Sequence, residues 1–531
     1  MTTPLVTVLE PVAGAKASVR ASIDRWRIGL VLVCALALAA GLAVVEAYPV
    51  GVVHDDAMYV ILARSLASGE GYRFLNLPGT PAATHFPPGY PALLALVSSI
   101  APAFPANVLV FKALNALFLA AAAVLIARFA RWRAAGDIWS LALGAVTAVS
   151  IPLLVLGSMV LSEPFFLALL LLLLPALESL IESRTSLWRV AGLGAAIGAC
   201  TLVRSHGIAL LPAAVVALLL RRRWRDAVVL AVATVGCLLP WQLWSAAHSG
   251  RLPAPLLGNY DSYVGWWVRG LRVDGVGMIP ATLAKTVPEA LDMLAVLFSP
   301  LRGTMAHGAT LAALGALAGV GGWSVRRRMP VTLLFLAVYL TIVLVWPFNP
   351  SRFVWGIWPL LLMLVIAGAH VAAARSGRFT QPVCVALLAS FAWVVVGYGS
   401  YELRGARGSW WSSIARANTR RIAPAVQWTL ANTAPNEVLA AEDEGAIYLY
   451  TGRASVPVFS FTTAQYLRDH SAAENAAEGL GPILSAYPVH TVVVGSRKTV
   501  DAADFLVNSP TPRLALRADF PGGVAYTVLP K

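Results

Sequence analysis

Two adjacent carboxylates, Asp55 and Asp56, stand just beyond a long apolar run, in the segment His54-Asp55-Asp56-Ala57-Met58-Tyr59. A third acid, Glu163, lies in Leu161-Ser162-Glu163-Pro164-Phe165, where another apolar run begins. Ionisable groups at membrane depth are expensive and by default mark function. Such carboxylates can take a proton from a nucleophile or hold a divalent ion. Two arginines lie at comparable run ends. Arg204 opens the turn Arg204-Ser205-His206-Gly207, and Arg352 follows Phe348-Asn349-Pro350-Ser351. A guanidinium grips phosphate through paired hydrogen bonds. Acids and bases together suggest a carboxylate base facing a phosphate leaving group.

Each group also has a plainer reading. Asp55 and Asp56 can cap the helix that follows, although one cap needs one residue. Ser162 or Glu163 can serve a helix start, with Pro164 in the first turn. Arg204 and Arg352 can snorkel to the membrane surface. Asn259-Tyr260-Asp261-Ser262-Tyr263 and Trp266-Trp267 read first as interfacial anchors, and second as stacking platforms for a sugar or a polyprenyl chain. A divalent metal ion is possible if Asp55, Asp56, Glu163 and His85 converge.

The elements that must position these groups are membrane helices. Of 531 residues 58% are hydrophobic and 12% charged, with a mean hydropathy of +0.72, far from soluble composition. The 40 Lys and Arg outnumber the 26 Asp and Glu. They cluster between apolar runs, as cytoplasmic anchors do, which argues against a nucleic-acid partner. Cys34, Cys200, Cys237 and Cys384 are scattered singly with no metal or disulfide spacing.

A span needs about 20 apolar residues. Candidates are 28–48, 107–127, 138–157, 162–181, 188–203, 207–220, 227–247, 305–324, 330–347, 353–373 and 379–399. With about eleven spans and a cytoplasmic N-terminus, every arginine cluster falls inside. These clusters are Arg20, Arg25 and Arg27; Arg128, Arg131 and Arg133; Arg184 and Arg189; Arg221–Arg223 and Arg225; Arg326–Arg328; and Arg375 with Arg378.

The expected fold class is therefore an α-helical polytopic membrane protein of the cell (plasma or inner) membrane, N-terminus in and C-terminus out. Residues 1–27 form a cytoplasmic segment and 28–401 a transmembrane domain with external loops 49–106 and 248–304. Residues 402–531 form a small extracytoplasmic α/β domain, with strand-like runs at Val438–Ala441 and Thr491–Val494 and a helix-like stretch at 462–479. Within the first loop, the apolar stretch after Asp55 and the stretch 92–103 are too short to cross and are expected along the membrane interface.

Four features carry a family resemblance: Asp55-Asp56, the downstream His85-Phe86-Pro87-Pro88-Gly89-Tyr90-Pro91, Ser162-Glu163-Pro164, and the Arg204 turn. Over residues 28–370 the chain resembles GT-C glycosyltransferases, in the branch of protein O-mannosyltransferases, the lipid A aminoarabinose transferase and rhizobial lipopolysaccharide glycosyltransferases. The family pattern often reads Asp-Glu where this chain has Asp55-Asp56. The resemblance implies a polyprenyl-phosphate-linked sugar donor, a lipid, polysaccharide or protein acceptor, and Asp55 as general base. Asp56 and Glu163 complete the expected catalytic set, and His85, Tyr90, Arg204, His206 and Arg352 the substrate-binding set. A lipid-borne donor suits a compartment without nucleotides and a chain without a phosphate-cradling glycine loop. The rival reading, a transporter or flippase for a lipid-linked glycan, predicts polar groups in mid-span and internal pseudo-symmetry. The sequence displays neither.

Overall fold

The computed structural model describes residues 13–45, 48–375, 381–408 and 414–530; Arg378 lies outside them. Apolar runs become helices because backbone polar groups in hydrocarbon must satisfy one another. α1 (Ala13–Ala43) leads to two helices of the first loop, α2 (His54–Ala67) and α3 (Gly89–Ile100). Next come α4 (Asn107–Arg133), α5 (Asp137–Val149), α6 (Ile151–Gly157), α7 (Glu163–Glu182), α8 (Leu187–Val203), α9 (Leu210–Leu220) and α10 (Trp224–His248). The second loop supplies α11 (Leu257–Tyr260), α12 (Tyr263–Asp274) and α13 (Met278–Phe298). The membrane part closes with α14 (Thr304–Val325), α15 (Pro330–Val345), α16 (Ser351–Trp355), α17 (Trp358–Ala374) and α18 (Gln381–Ala406).

Helices occupy all eleven expected stretches. Among the described residues, six are long and apolar enough to cross a membrane, or seven if α5 and α6, bent by 48°, form one span. The other four expected spans are shorter apolar helices, at Leu187–Val203, Ser205–Leu220, Pro330–Val345 and Trp358–Ala374.

In the first loop the helix after Asp55, expected at the membrane interface, is covered by protein. Residues Ala57–Ala63 of α2 are at most 5% exposed, so this helix is enclosed by protein. α3 keeps one free apolar edge, Leu96 and Ile100. Its first residue, Gly89, packs against α8, where a Cβ would come within 2.7 Å of the Leu202 carbonyl oxygen.

The tail folds as α19 (Ile414–Asn432), β1 (Leu439–Ala441), α20 (Glu444–Thr451), β2 (Ser455–Pro457), the short α21 (Thr463–Leu467), α22 (Ala472–Asn475) and α23 (Gly481–Ala486), β3 (Thr491–Val494), α24 (Arg497–Val507), β4 (Leu514–Phe520) and β5 (Gly523–Val528). The sheet order is β2-β1-β3-β5-β4. β1 runs parallel to β2 and β3, placing Ala440 opposite Val456 and Val492, while β5 is antiparallel to β3 and β4. β3 is buried along its whole length, as a central strand covered on both faces should be. The expected strands at 438–441 and 491–494 are β1 and β3. The helical stretch at 462–479 is broken, because Ser471 and Glu474 form a capping box that starts a new helix.

This unit does not stand apart from the membrane helices. One apolar core runs from α4, α7 and α17 through α2 into Ala446, Val456, Val492 and Tyr526. The Ser455 N–H donates to the Asn76 carbonyl at 2.7 Å. Gly51 turns at φ +101° directly against Ala446, a place and conformation that exclude a side chain.

Candidate active site

The start of α2 separates the two adjacent aspartates. Helix starts leave backbone N–H groups without partners, and Asp56 turns inward to meet such groups. Its carboxylate accepts from Gly51 N–H at 2.9 Å, Ala57 N–H at 2.9 Å and Val53 N–H at 3.3 Å, and it is 0% exposed. Asp56, expected to be catalytic, is the helix-start ligand and does not reach the cavity described below. Asp55 points the other way, and its side chain keeps 30% of its exposure.

From Asp55 a chain of charges leads inward. Arg352 Nη2 lies 2.9 Å from Asp55 Oδ2, and Arg352 Nε donates to Glu163 Oε1. Arg204 Nη1 lies 2.9 Å from Glu163 Oε2 and 3.1 Å from Ser162 Oγ, which also meets the Tyr59 hydroxyl at 3.2 Å. The Arg352–Asp55 and Arg204–Glu163 contacts are close in distance but not aligned as hydrogen bonds, leaving Arg352 Nη2 without an aligned acceptor. Two carboxylates thus balance two guanidiniums. Glu163, 1% exposed, is clamped between both arginines. A carboxylate so held is placed as the counter-ion of Arg204 and Arg352, and Glu163, expected to be catalytic, does not itself line the cavity described below. Neither Ser162 nor Glu163 side chain caps α7; the serine hydroxyl is engaged by Arg204.

Electrostatics keep Asp55 ionised. Burial alone pushes its carboxyl up, but Arg352, assisted by His54, His85 and Arg204, holds it below the ordinary carboxylate range.

Asp55, Arg204 and Arg352 open onto a cavity of about 510 Å³, together with His54, His85 and His206. Its remaining wall is largely apolar and aromatic, including Ile342, Trp346, Phe353, Trp266, Phe459 and Phe461. His206 rests between the rings of Phe353 and Tyr339. His85 Nδ1 lies 2.6 Å from the Asp261 carbonyl, so Nδ1–H donates there and Nε2 carries the lone pair. Burial pushes the His85 imidazole down to about 4.

Two walls come from distant sequence. Trp266 stacks on Phe461 at 5.9 Å with the rings 2° from parallel, and its Nε1–H donates to the Phe461 carbonyl at 3.1 Å. Asn259 grips the same loop, which follows β2, from both sides, donating to the Phe459 carbonyl at 3.1 Å and accepting from Phe461 N–H at 2.5 Å. The aromatics at 260–267 divide between several roles. Tyr263 and Trp266 line the cavity, while Tyr260 is fully buried behind it.

Of the expected site residues, Asp55, His85, Arg204, His206 and Arg352 meet at one cavity. Tyr90 does not. It is 0% exposed, and its hydroxyl donates to Asn115 Oδ1 at 3.2 Å. Within the Pro-Pro-Gly-Tyr-Pro segment Pro87 lines the cavity, while Gly89 and Tyr90 pack the first loop. The four proposed metal ligands do not converge either. Among the described residues no group of three or more His, Cys, Asp or Glu side chains is placed to hold a metal ion. Sequence reading missed Tyr59, Phe459 and Phe461. Tyr59 follows Asp55 by one helical turn, a spacing that could have flagged it; the phenylalanines carry no comparable signal.

Helical frame and cavity together define a polytopic membrane protein of the GT-C fold. The chain is similar to ArnT from Cupriavidus metallidurans bound to undecaprenyl phosphate, with a TM-score of 0.53 and 14% identity over 93% of this chain and 97% of that one. It is also similar to the Archaeoglobus fulgidus oligosaccharyltransferase in complex with zinc and sulfate, with a TM-score of 0.52 and 14% identity over 93% of this chain and 73% of that one. Both are GT-C glycosyltransferases. No family model matches the chain, and no curated protein matches it by sequence. At such low identity the likeness is one of fold, and at that level it agrees with the GT-C resemblance of the sequence.

Proposed function

We propose that this protein is a membrane glycosyltransferase that moves a sugar from a polyprenyl-phosphate donor to a cell-envelope acceptor on the extracytoplasmic face. The acceptor is a lipid, a polysaccharide or a protein. The observation that carries this reading is the juxtaposition of a partly exposed Asp55 with Arg352 and Arg204 at one cavity. Undecaprenyl phosphate bound to a protein of the same fold supports the choice of donor.

In this reading the donor phosphate meets Arg352 Nη2, which already lacks an aligned acceptor. Competition from the phosphate loosens Arg352 from Asp55 and restores basicity to that carboxylate. Asp55 then takes the acceptor hydroxyl proton as the oxygen attacks the anomeric carbon. The bond to phosphate breaks with its electron pair passing to the phosphate oxygen, where Arg352 and Arg204 stabilise the charge. A single displacement inverts the anomeric centre. Residues 402–531 are the extracytoplasmic unit that closes the cavity, and the N-terminus is cytoplasmic.

Mass spectrometry of cell-envelope glycans with and without the protein tests the reading. One sugar substituent should vanish in its absence and return with the wild-type chain but not with Asp55→Asn. Full restoration by Asp55→Asn would contradict transfer by this mechanism.

A further inference from the structure

His54 begins α2 beside Asp55, and its ring forms part of the cavity wall. Its Nδ1 lies 3.3 Å from Glu444 Oε1, at the first turn of α20 in the C-terminal unit. Glu444 is 2% exposed. The same oxygen accepts from the Tyr260 hydroxyl at 2.8 Å, and Tyr260 in turn accepts from Asn76 Nδ2 at 3.0 Å. Among the described residues no arginine or lysine pairs with Glu444. The carboxylate is held in place, and the nitrogen that faces it besides the Tyr260 hydroxyl is that of this imidazole. His54 Nε2 is buried without a hydrogen-bond partner. A buried polar atom without a partner is uncommon in a packed interior and calls for an explanation.

From this geometry we infer that His54, oriented by Glu444, is the residue that receives the proton from Asp55. The inference rests on the transferase reading above. With Nδ1–H directed at Glu444, the neutral ring carries its lone pair on Nε2, and the carboxylate stabilises the cation when a proton arrives. The acceptor hydroxyl proton goes first to Asp55 while polyprenyl phosphate departs with the electron pair of the broken bond. It then passes to His54 Nε2, giving an imidazolium balanced by Glu444, and returns to water once product leaves. Asp55 is thereby ionised for the next turn. The charged or titratable groups around the ring are Glu444 on α20, Asp55 and Asp56 on α2, His85 in the first loop and Tyr260 on α11. Burial disfavours the cation, but Glu444, Asp55 and Asp56 together hold the His54 pKa above its ordinary value. Glu444 is a positioning residue contributed from nearly 400 residues downstream of the imidazole (54 against 444).

The test uses full-length, ¹⁵N-histidine-labelled protein in nanodiscs. The His54 signal should show the Nδ1–H tautomer when neutral. Its titration midpoint should fall by about one pH unit or more in Glu444→Gln, through loss of the facing charge. Tyr260→Phe should move the midpoint upward, because Glu444 loses a competing donor; this variant reads the pair even if Glu444→Gln folds poorly. In transfer assays with a polyprenyl-phosphate-sugar fraction, His54→Gln and Glu444→Gln should each lower kcat about 10- to 100-fold, shift the acidic limb of the pH profile, and leave donor KM unchanged. The double variant should be no worse than the slower single one. An unchanged midpoint in both Glu444→Gln and Tyr260→Phe overturns the pairing. Normal kcat and an unmoved pH profile in His54→Gln overturn the proton transfer. Absence of transfer by wild-type protein sinks the transferase reading and the relay with it, while the NMR titration still decides the Glu444–His54 pair.

Discussion

Replacing Asp55 by Asn and Glu163 by Gln, one at a time, should separate a base from a counter-ion. Asp55→Asn keeps the shape and removes the charge. Its side chain is 30% exposed, and Arg352 retains Glu163 as partner. The stability cost should therefore stay within about 1 kcal/mol, while loss of the general base lowers turnover about 10²–10⁴-fold. Glu163→Gln acts in reverse. The carboxyl is 1% exposed and faces two guanidiniums, so its removal leaves the buried Arg204 without a carboxylate and Arg352 with Asp55 alone. Breaking a buried pair costs about 3–5 kcal/mol, and that cost should appear as faster thermal inactivation of purified protein. Both variants are compared for membrane level, thermal half-life, polyprenyl-phosphate binding and sugar transfer. Normal turnover by Asp55→Asn would reduce Asp55 to a counter-ion of Arg352. Lost transfer at unchanged stability in Glu163→Gln would make Glu163 the base and refute the assignment of roles.

Asp56→Ala strips three backbone N–H groups of their acceptor; it should cost about 1–3 kcal/mol, seen in unfolding assays, with turnover per folded molecule close to normal. Arg352→Ala should weaken polyprenyl-phosphate binding about 10- to 100-fold, the worth of a charge-assisted contact of about 1.5–3 kcal/mol, measurable by titration calorimetry. His85 folds with its pKa lowered from 6.5 to about 4. The unfolded chain then binds a proton that the folded chain refuses, so stability falls as pH drops from 6.5 through 4. Comparing thermal unfolding at several pH values with that of His85→Asn checks this, since the variant should lose part of the acid sensitivity. A reporter active outside the cytoplasm should work when fused after Lys531 and fail after Arg223; activity at Arg223 would overturn the orientation.

Residues whose cost is visible locally were legible in the sequence. Asp55, Glu163, Arg204 and Arg352 are charges at the ends of apolar runs, and a charge in that position is conspicuous whatever surrounds it. Their division of labour was not legible. Asp55 and Asp56 differ by one position, and only the turn at Gly51 decides which carboxylate meets the backbone. Tyr90 was misassigned because a tight proline and glycine motif looks the same whether it shapes a site or packs a loop against Asn115 and α8. The short helices α8, α9, α15 and α17 show why a span count is hard to read. Apolarity marks them, but burial among other helices explains it as well as lipid does. Phe459 and Phe461 were invisible because their partners, Asn259 and Trp266, lie about 200 residues away.

That last separation has a consequence for how the molecule comes into being. A chain leaves the ribosome N-terminus first, so Asp55, Glu163, Arg204 and Arg352 are all threaded into the bilayer while the final quarter is still being translated. Phe459, Phe461 and Glu444 join the site once that later stretch has folded back onto the first and second loops. A nascent chain arrested before Phe459 carries Arg204 and Arg352 yet lacks the side of the cavity formed by Phe459 and Phe461. On the transferase reading, the site that would hold the sugar is therefore finished by a segment made after all of its charged groups.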